Sequence, residues 1–285
     1  MAVYKRGYEP YAGRLTPQWS RFLVIARYAW GARLESRWLI GFLIFCALYP
    51  ITYAVLIYLP HNAVAAELLG KLKLFEITPA FFLGFVSQTG GLAFILTGFV
   101  GPGLVSPDLV NNALPLYLCR PFSRTEYVIG KMSVLAVLIS AITWVPGLLL
   151  FAFQAYLAGF AWLADYWWIA VAIVLSAWIW IAALCLLALA MSAWVKWKVV
   201  AGTLIFVVFF LAAGFAQAVS ATLHTDLGHV LNLFEVSNTI WHWLFRETGG
   251  GRLPVGLAWA ALAGFCAVFY LLLNRKLRAF HVERS

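Results

Sequence analysis

Six apolar stretches, at about residues 38–59, 77–104, 132–157, 166–194, 199–220 and 254–273, alternate along the chain with polar segments. Each is long enough to cross a hydrocarbon core of about 30 Å as a helix. A helix satisfies its own backbone N–H and C=O groups, which lipid cannot do. The pattern therefore predicts an all-α, polytopic membrane protein with six transmembrane helices. Pro50 and the Pro146-Gly147 pair predict kinks in the first and third spans. Gly84, Ser87, Gly90, Gly91, Gly98 and Gly101 make the second span one that a neighbouring helix can approach closely.

The polar stretches carry signals of their own. Residues 1–37 form an N-terminal segment in which Thr16 and Pro17 start a helix. Phe22, Leu23, Ala26, Trp30 and Leu34 then share one face, with Arg21 opposite, the pattern of an amphipathic helix lying in the plane of the membrane interface. Residues 60–76 are a loop, 158–165 a short turn, and 274–285 (NRKLRAFHVERS) a basic tail. Residues 221–253 alternate apolar and polar groups at helix-like spacing and end at Gly249-Gly250-Gly251, which predicts an outer insertion of one or two short helices dipping into the leaflet. The loop 105–131 is the most legible of all. Ser106 as N-cap, Pro107 in the first turn and Asp108 at the positive end of the dipole predict a short helix over 107–114, which Pro115 ends. Ser123 and Glu126 form a capping box that opens the next helix.

Composition and charge sharpen the class. The chain has 285 residues, 64% hydrophobic and 11% charged, against about 25% charged in a soluble domain. Its first 37 residues hold seven Lys/Arg and no apolar core of a signal peptide, so the N-terminus is expected in the cytoplasm. Counted on that topology, sixteen Lys/Arg fall on inner segments and four on outer ones, a strong positive-inside bias. Both termini and the 105–131 loop are then cytoplasmic, in a bacterial-type inner membrane. The formal charge of +9 follows the membrane and marks no nucleic-acid domain; anionic lipid is the expected partner. Cys46, Cys185 and Cys266 lie in apolar runs and Cys119 in the loop, which is no disulfide framework.

Chemistry is constrained by what the spans lack. All eleven acidic and twenty basic residues fall outside the six assigned stretches, whereas an ion-coupled transporter keeps ionisable groups at membrane depth. No G-x-x-x-x-G-K-[ST] motif is present, so ATP is not cradled by this chain. Energy for uphill transport would have to arrive from another protein, through a rigid inner loop. His224, His229 and His242 share the outer side without metal-ligand spacing and read as interfacial. Gln88, Thr89, Gln154 and Gln217 are polar groups within spans, suited either to interhelical hydrogen bonds or to a substrate path.

The stretch LPLYLCRPFSRTEYVIGK, with Pro121, Phe122, Ser123, Arg124, Glu126, Tyr127, Gly130 and Lys131, resembles the segment after the second span in permease subunits of type-2 ABC exporters. The in-plane helix, the six spans and the outer insertion match that family's layout. Asp108 and Asn111-Asn112 stand where the family has a charged run. The resemblance implies a dimer of permeases, the second chain identical or related, with two separate ATPase subunits that bind ATP and Mg. It implies that residues 107–114 are the coupling helix. Asp108, Leu109, Val110, Asn111, Asn112, Leu116 and Arg120 are then the expected ATPase contacts, although helix capping accounts equally well for Asp108 and lipid phosphate accounts better for Arg120. It implies no cofactor and no enzymatic activity in this chain. Two rivals differ in class. A structural or assembly subunit would share the layout without transport, and a lipid-modifying membrane enzyme would need clustered His, Asp or Glu at one interface, which the inner loops lack.

Overall fold

The computed structural model describes residue 27 and residues 36–62, 77–111 and 124–282. Of the in-plane helix expected within 1–37 only Arg27 is described, helical and exposed; its other residues, most of the 60–76 loop and residues 112–123 of the central loop lie outside the described residues. Among the described residues the chain is all-helical. Nine α-helices run α1 Arg37–Tyr58, α2 Pro79–Val100, α3 Pro102–Val110, α4 Arg124–Ile142, α5 Trp144–Ala158, α6 Phe160–Trp194, α7 Lys198–Leu223, α8 Leu233–Leu244 and α9 Val255–Val282. Short 3-10 turns cover Leu59–His61 and Asp226–Leu231. Six helical stretches are long and apolar enough to cross a membrane: Arg37–His61, Pro79–Asp108, Thr125–Ala158, Phe160–Trp194, Lys198–Leu223 and Val255–Lys276.

Several boundaries differ from those the sequence predicts, each for a local reason. The third span breaks at Thr143, whose φ of −111° and ψ of −95° separate α4 from α5. Pro146 lacks an N–H and its ring crowds the carbonyl four residues back, so the helix opens just before it. Thr143 Oγ1 covers the opening by donating to the Ile139 carbonyl at 2.8 Å. Pro50 lies inside α1. The turn expected over 158–165 shrinks to Gly159, whose φ of +90° reverses the chain in a conformation that side chains rarely adopt. Asp165 therefore sits in the second turn of α6 and not in a loop. The basic tail is helical as far as Val282, because α9 continues past the apolar stretch.

α6 is the axis of the bundle. It packs against α2, α3, α4, α5, α7, α8 and α9. Buried residues make up 56% of the apolar stretch in the second, third and fourth spans, against 11%, 22% and 17% in the first, fifth and sixth. Three spans thus form a core and three surround it. Ala183, Ala188, Ala190 and Ala193 on α6 are nearly inaccessible, small enough for close helix contact where no hydrophobic effect separates protein from lipid.

Residues 233–244 do not rest on the surface of this bundle. Asn232 caps α8 by accepting from the Phe234 N–H at 3.0 Å, and Leu233, Val236, Ile240 and Trp241 turn inward. Trp241 is fully buried and donates through Nε1 to the Ser176 carbonyl at 3.3 Å. Its ring meets Trp180 edge-on at 5.6 Å, and Trp180 donates to the Gly90 carbonyl at 2.9 Å. Both indole N–H groups are satisfied by backbone, as burial demands. The short helix expected within 221–253 is a wedge packed against the second, fourth and sixth spans.

Candidate functional site

The loop 105–131 carries the sequence signals of function, and its two flanking helices meet at one end of the bundle. The helix there begins at Pro102 and not at Ser106 as expected. Pro102 takes the first helical position, where its missing N–H costs nothing, and Pro107 lies inside the same helix. Gly101, just before it, is required by packing: a Cβ would come 2.7 Å from the Ala188 Cβ of α6. Close approach lets Ser192 of α6 reach into α3. Its hydroxyl donates to the Pro102 carbonyl at 2.9 Å and accepts from the Ser106 N–H at 2.9 Å, two groups that a regular helix would join to each other. The Ser106 hydroxyl lies 2.8 Å from the Val195 carbonyl. Ser106 is therefore a bolt between α3 and α6, fully buried, and not an N-cap.

Asp108 is corrected in the same way. It sits in the last turn of α3, away from the positive end of that helix, and its carboxylate is held by α4. Lys131 Nζ lies 2.8 Å from Asp108 Oδ2, and the Tyr127 hydroxyl donates to the same oxygen at 2.7 Å. Tyr127 and Lys131 are four residues apart on α4 and so share a face; the ammonium also lies 5.6 Å from the Tyr127 ring centre. Tyr127 is 2% exposed and Lys131 7%. This is a hydrogen-bonded ion pair, with Lys131 buried and the Asp108 side chain 15% exposed, and it joins the two helices that flank residues 112–123. Asp108 and Lys131 lie near the ends of two membrane-length helices, Pro79–Asp108 and Thr125–Ala158, just beyond the 77–104 and 132–157 stretches.

Of the other expected ATPase contacts, Val110 and Asn111 are exposed at the end of α3. Leu109 is part of α3. Asn112, Leu116 and Arg120 lie outside the described residues, as do residues 112–114 of the expected 107–114 helix. α4 begins at Arg124, directly after the proposed cap at Ser123, which is likewise outside them. Tyr127 and Lys131 were legible as part of the motif, but their partnership with Asp108 was not. The signal available was the four-residue spacing of a phenol and an ammonium at the start of an apolar helix.

The four candidate path residues are not brought to one surface. Thr89 is buried and donates to its own helix at the Phe85 carbonyl, 2.8 Å away. Gln154 is buried in α5 with its Oε1 unpartnered. Gln88 and Gln217 are exposed on α2 and α7. These two helices run antiparallel, since Phe94 packs on Phe209 and Phe210 while Phe99 packs on Phe206.

At the opposite end, His229 Nε2 lies 3.4 Å from Arg252 Nη1. Among the described residues no three His, Cys, Asp or Glu side chains come together as a metal site. No protein-family model matches the chain, and none of the curated proteins matches it.

Proposed function

We propose that this chain is the transmembrane permease subunit of an ATP-driven exporter, working as a dimer and coupled to separate ATPase subunits through the segment after its second span. The observation that carries the reading is the clamp of Asp108, Tyr127 and Lys131. It ties α3 to α4, and the permease-like sequence LPLYLCRPFSRTEYVIGK, which begins at Leu114 after α3 and ends at Lys131 within α4, itself supplies two of the three clamp residues. A push on that segment would be delivered to the second and third spans together. The Ser106–Ser192 bolt would pass it on to α6, the axis of the bundle.

Exposed amides support the dimer. Gln88 and Gln217 project from spans where lipid tails would otherwise meet them, and an unsatisfied amide in hydrocarbon costs several kcal/mol. A second permease chain, identical or related, facing α2 and α7 would enclose them in a shared path. On this reading the α3 end of the bundle and both termini are cytoplasmic, residues 19–34 lie in the membrane plane, and the 221–253 segment is an outer insertion. ATP and Mg belong to the partner subunits.

The test is purification of the full chain from its native membranes in mild detergent, with identification of what accompanies it and measurement of ATP hydrolysis. An ATPase subunit in equal amount is expected, and Leu109→Glu and Leu116→Glu should abolish its stimulation while leaving membrane insertion unchanged. A chain that isolates without a nucleotide-hydrolysing companion, or variants that couple normally, would refute the proposal; a stable complex without ATPase would favour an assembly subunit.

A further inference from the structure

At the α3 end of the bundle, a groove of about 720 Å³ opens between the start of α1, the end of α2 and the start of α7. Its walls are apolar and drawn from all three helices: Phe42 from α1, Leu96 and Val100 from α2, Phe206 from α7. Its rim is different in kind, with Ser36, Trp38 and Lys198. From Lys198 to Phe206 the groove follows α7 for about 12 Å, at a helical rise of about 1.5 Å per residue. An apolar slot of this length below a cationic, indole-bearing rim matches the acyl chain and headgroup of a lipid in polarity.

We infer that this groove binds one anionic phospholipid of the surrounding bilayer, acyl chain along Phe42, Leu96 and Phe206 and phosphate at Lys198. The charge at this end of the molecule selects that occupant. Arg37, Lys196, Lys198 and Arg275 are exposed there, and Lys276 lies over the Trp194 ring at 5.3 Å. Asp108, the carboxylate at this end of α3, is already taken by Lys131. The permease proposal seats a second chain over Gln88 and Gln217, toward the other end of α2 and α7; at the α3 end a second copy would bring more cations to these, whereas an anionic headgroup neutralises them. A small soluble anion would leave the apolar walls unused. The inference does not depend on the permease proposal, because lipid binding needs neither a partner ATPase nor transport.

Native mass spectrometry of the purified full chain, loaded with phosphatidylglycerol or phosphatidylcholine of identical acyl chains, reads the site directly. Wild type should retain phosphatidylglycerol preferentially. Lys198→Gln should reduce that preference about fivefold, roughly what one lysine near an anionic surface contributes. Thr203→Trp, which fills the groove from an exposed position, should reduce retention of both lipids. A photo-crosslinking residue at Val199 in native membranes should form its adduct with phospholipid. Equal retention of the two lipids by wild type, unchanged preference in Lys198→Gln, or a crosslink to a second copy or to residues 1–35 would overturn the assignment.

Discussion

Asp108 shows how much a single position depends on what faces it. In isolation the Ser-Pro-Asp sequence reads as a helix start with a dipole-compensating carboxylate. In the folded chain the same carboxylate is the acceptor of a phenol and an ammonium, both almost inaccessible. Removing one partner of a buried pair leaves an uncompensated charge, a larger loss than removing both. Asp108→Asn should therefore destabilise the chain by about 3 kcal/mol, and adding Lys131→Met should recover most of it. Tyr127→Phe removes one hydrogen bond to a charged acceptor and should cost about 1.5 kcal/mol. Thermal unfolding in detergent measures all three, and a double variant no better than Asp108→Asn would show that the pair is not coupled.

Among elements, the contact between α3 and α6 is made by groups 86 residues apart in sequence. Ser192→Ala deprives the Pro102 carbonyl and the Ser106 N–H of their shared partner while leaving the apolar packing in place. A buried unsatisfied group costs about 1–3 kcal/mol, so this one hydroxyl should be worth more to stability than any exposed serine. Trp241→Ala should cost about 3–5 kcal/mol, since it empties the wedge between α2 and α6 and frees the Ser176 carbonyl. Neither contact was legible beforehand. Ser106 looked like a cap because capping is a local signal, and α8 looked interfacial because its apolar stripe is equally suited to lipid and to protein. Which of the two it meets depends on distant helices. The break at Thr143 was legible to within a few residues, since a proline acts on its own helix.

For the molecule as a whole, charge is segregated along the bundle. Among the described residues the α3 end carries Arg37, Arg124, Lys131, Lys196, Lys198, Arg275 and Lys276 against Asp108 and Glu126, while the other end carries Arg246 and Arg252 against Asp165, Asp226, Glu235 and Glu247. If the α3 end is cytoplasmic, Cys119 should react with a membrane-impermeant maleimide in inverted vesicles and not in intact cells. Cys46 and Cys185 are 2% and 0% exposed and should stay unreacted in both, serving as internal controls. Labelling of Cys119 from outside intact cells would reverse the orientation and remove the basis for ATPase docking at that loop.

What the sequence alone determined is the number of membrane-length helices, close positions for most of their ends, and the place of the polar segments between them. Those features follow from hydropathy, proline and glycine, each acting within a few residues along the chain. Tertiary structure decided which side of each helix faces protein. The spans are apolar on every face, so no stripe in the sequence sets their rotation. Gln88 points outward while its neighbour Thr89 is buried. Asp108 finds Lys131, and Ser106 finds Ser192, only once the helices have packed. Lipid requires a helix to satisfy its own backbone, a local demand; a buried charge or hydroxyl must find its partner elsewhere, and that depends on the whole bundle.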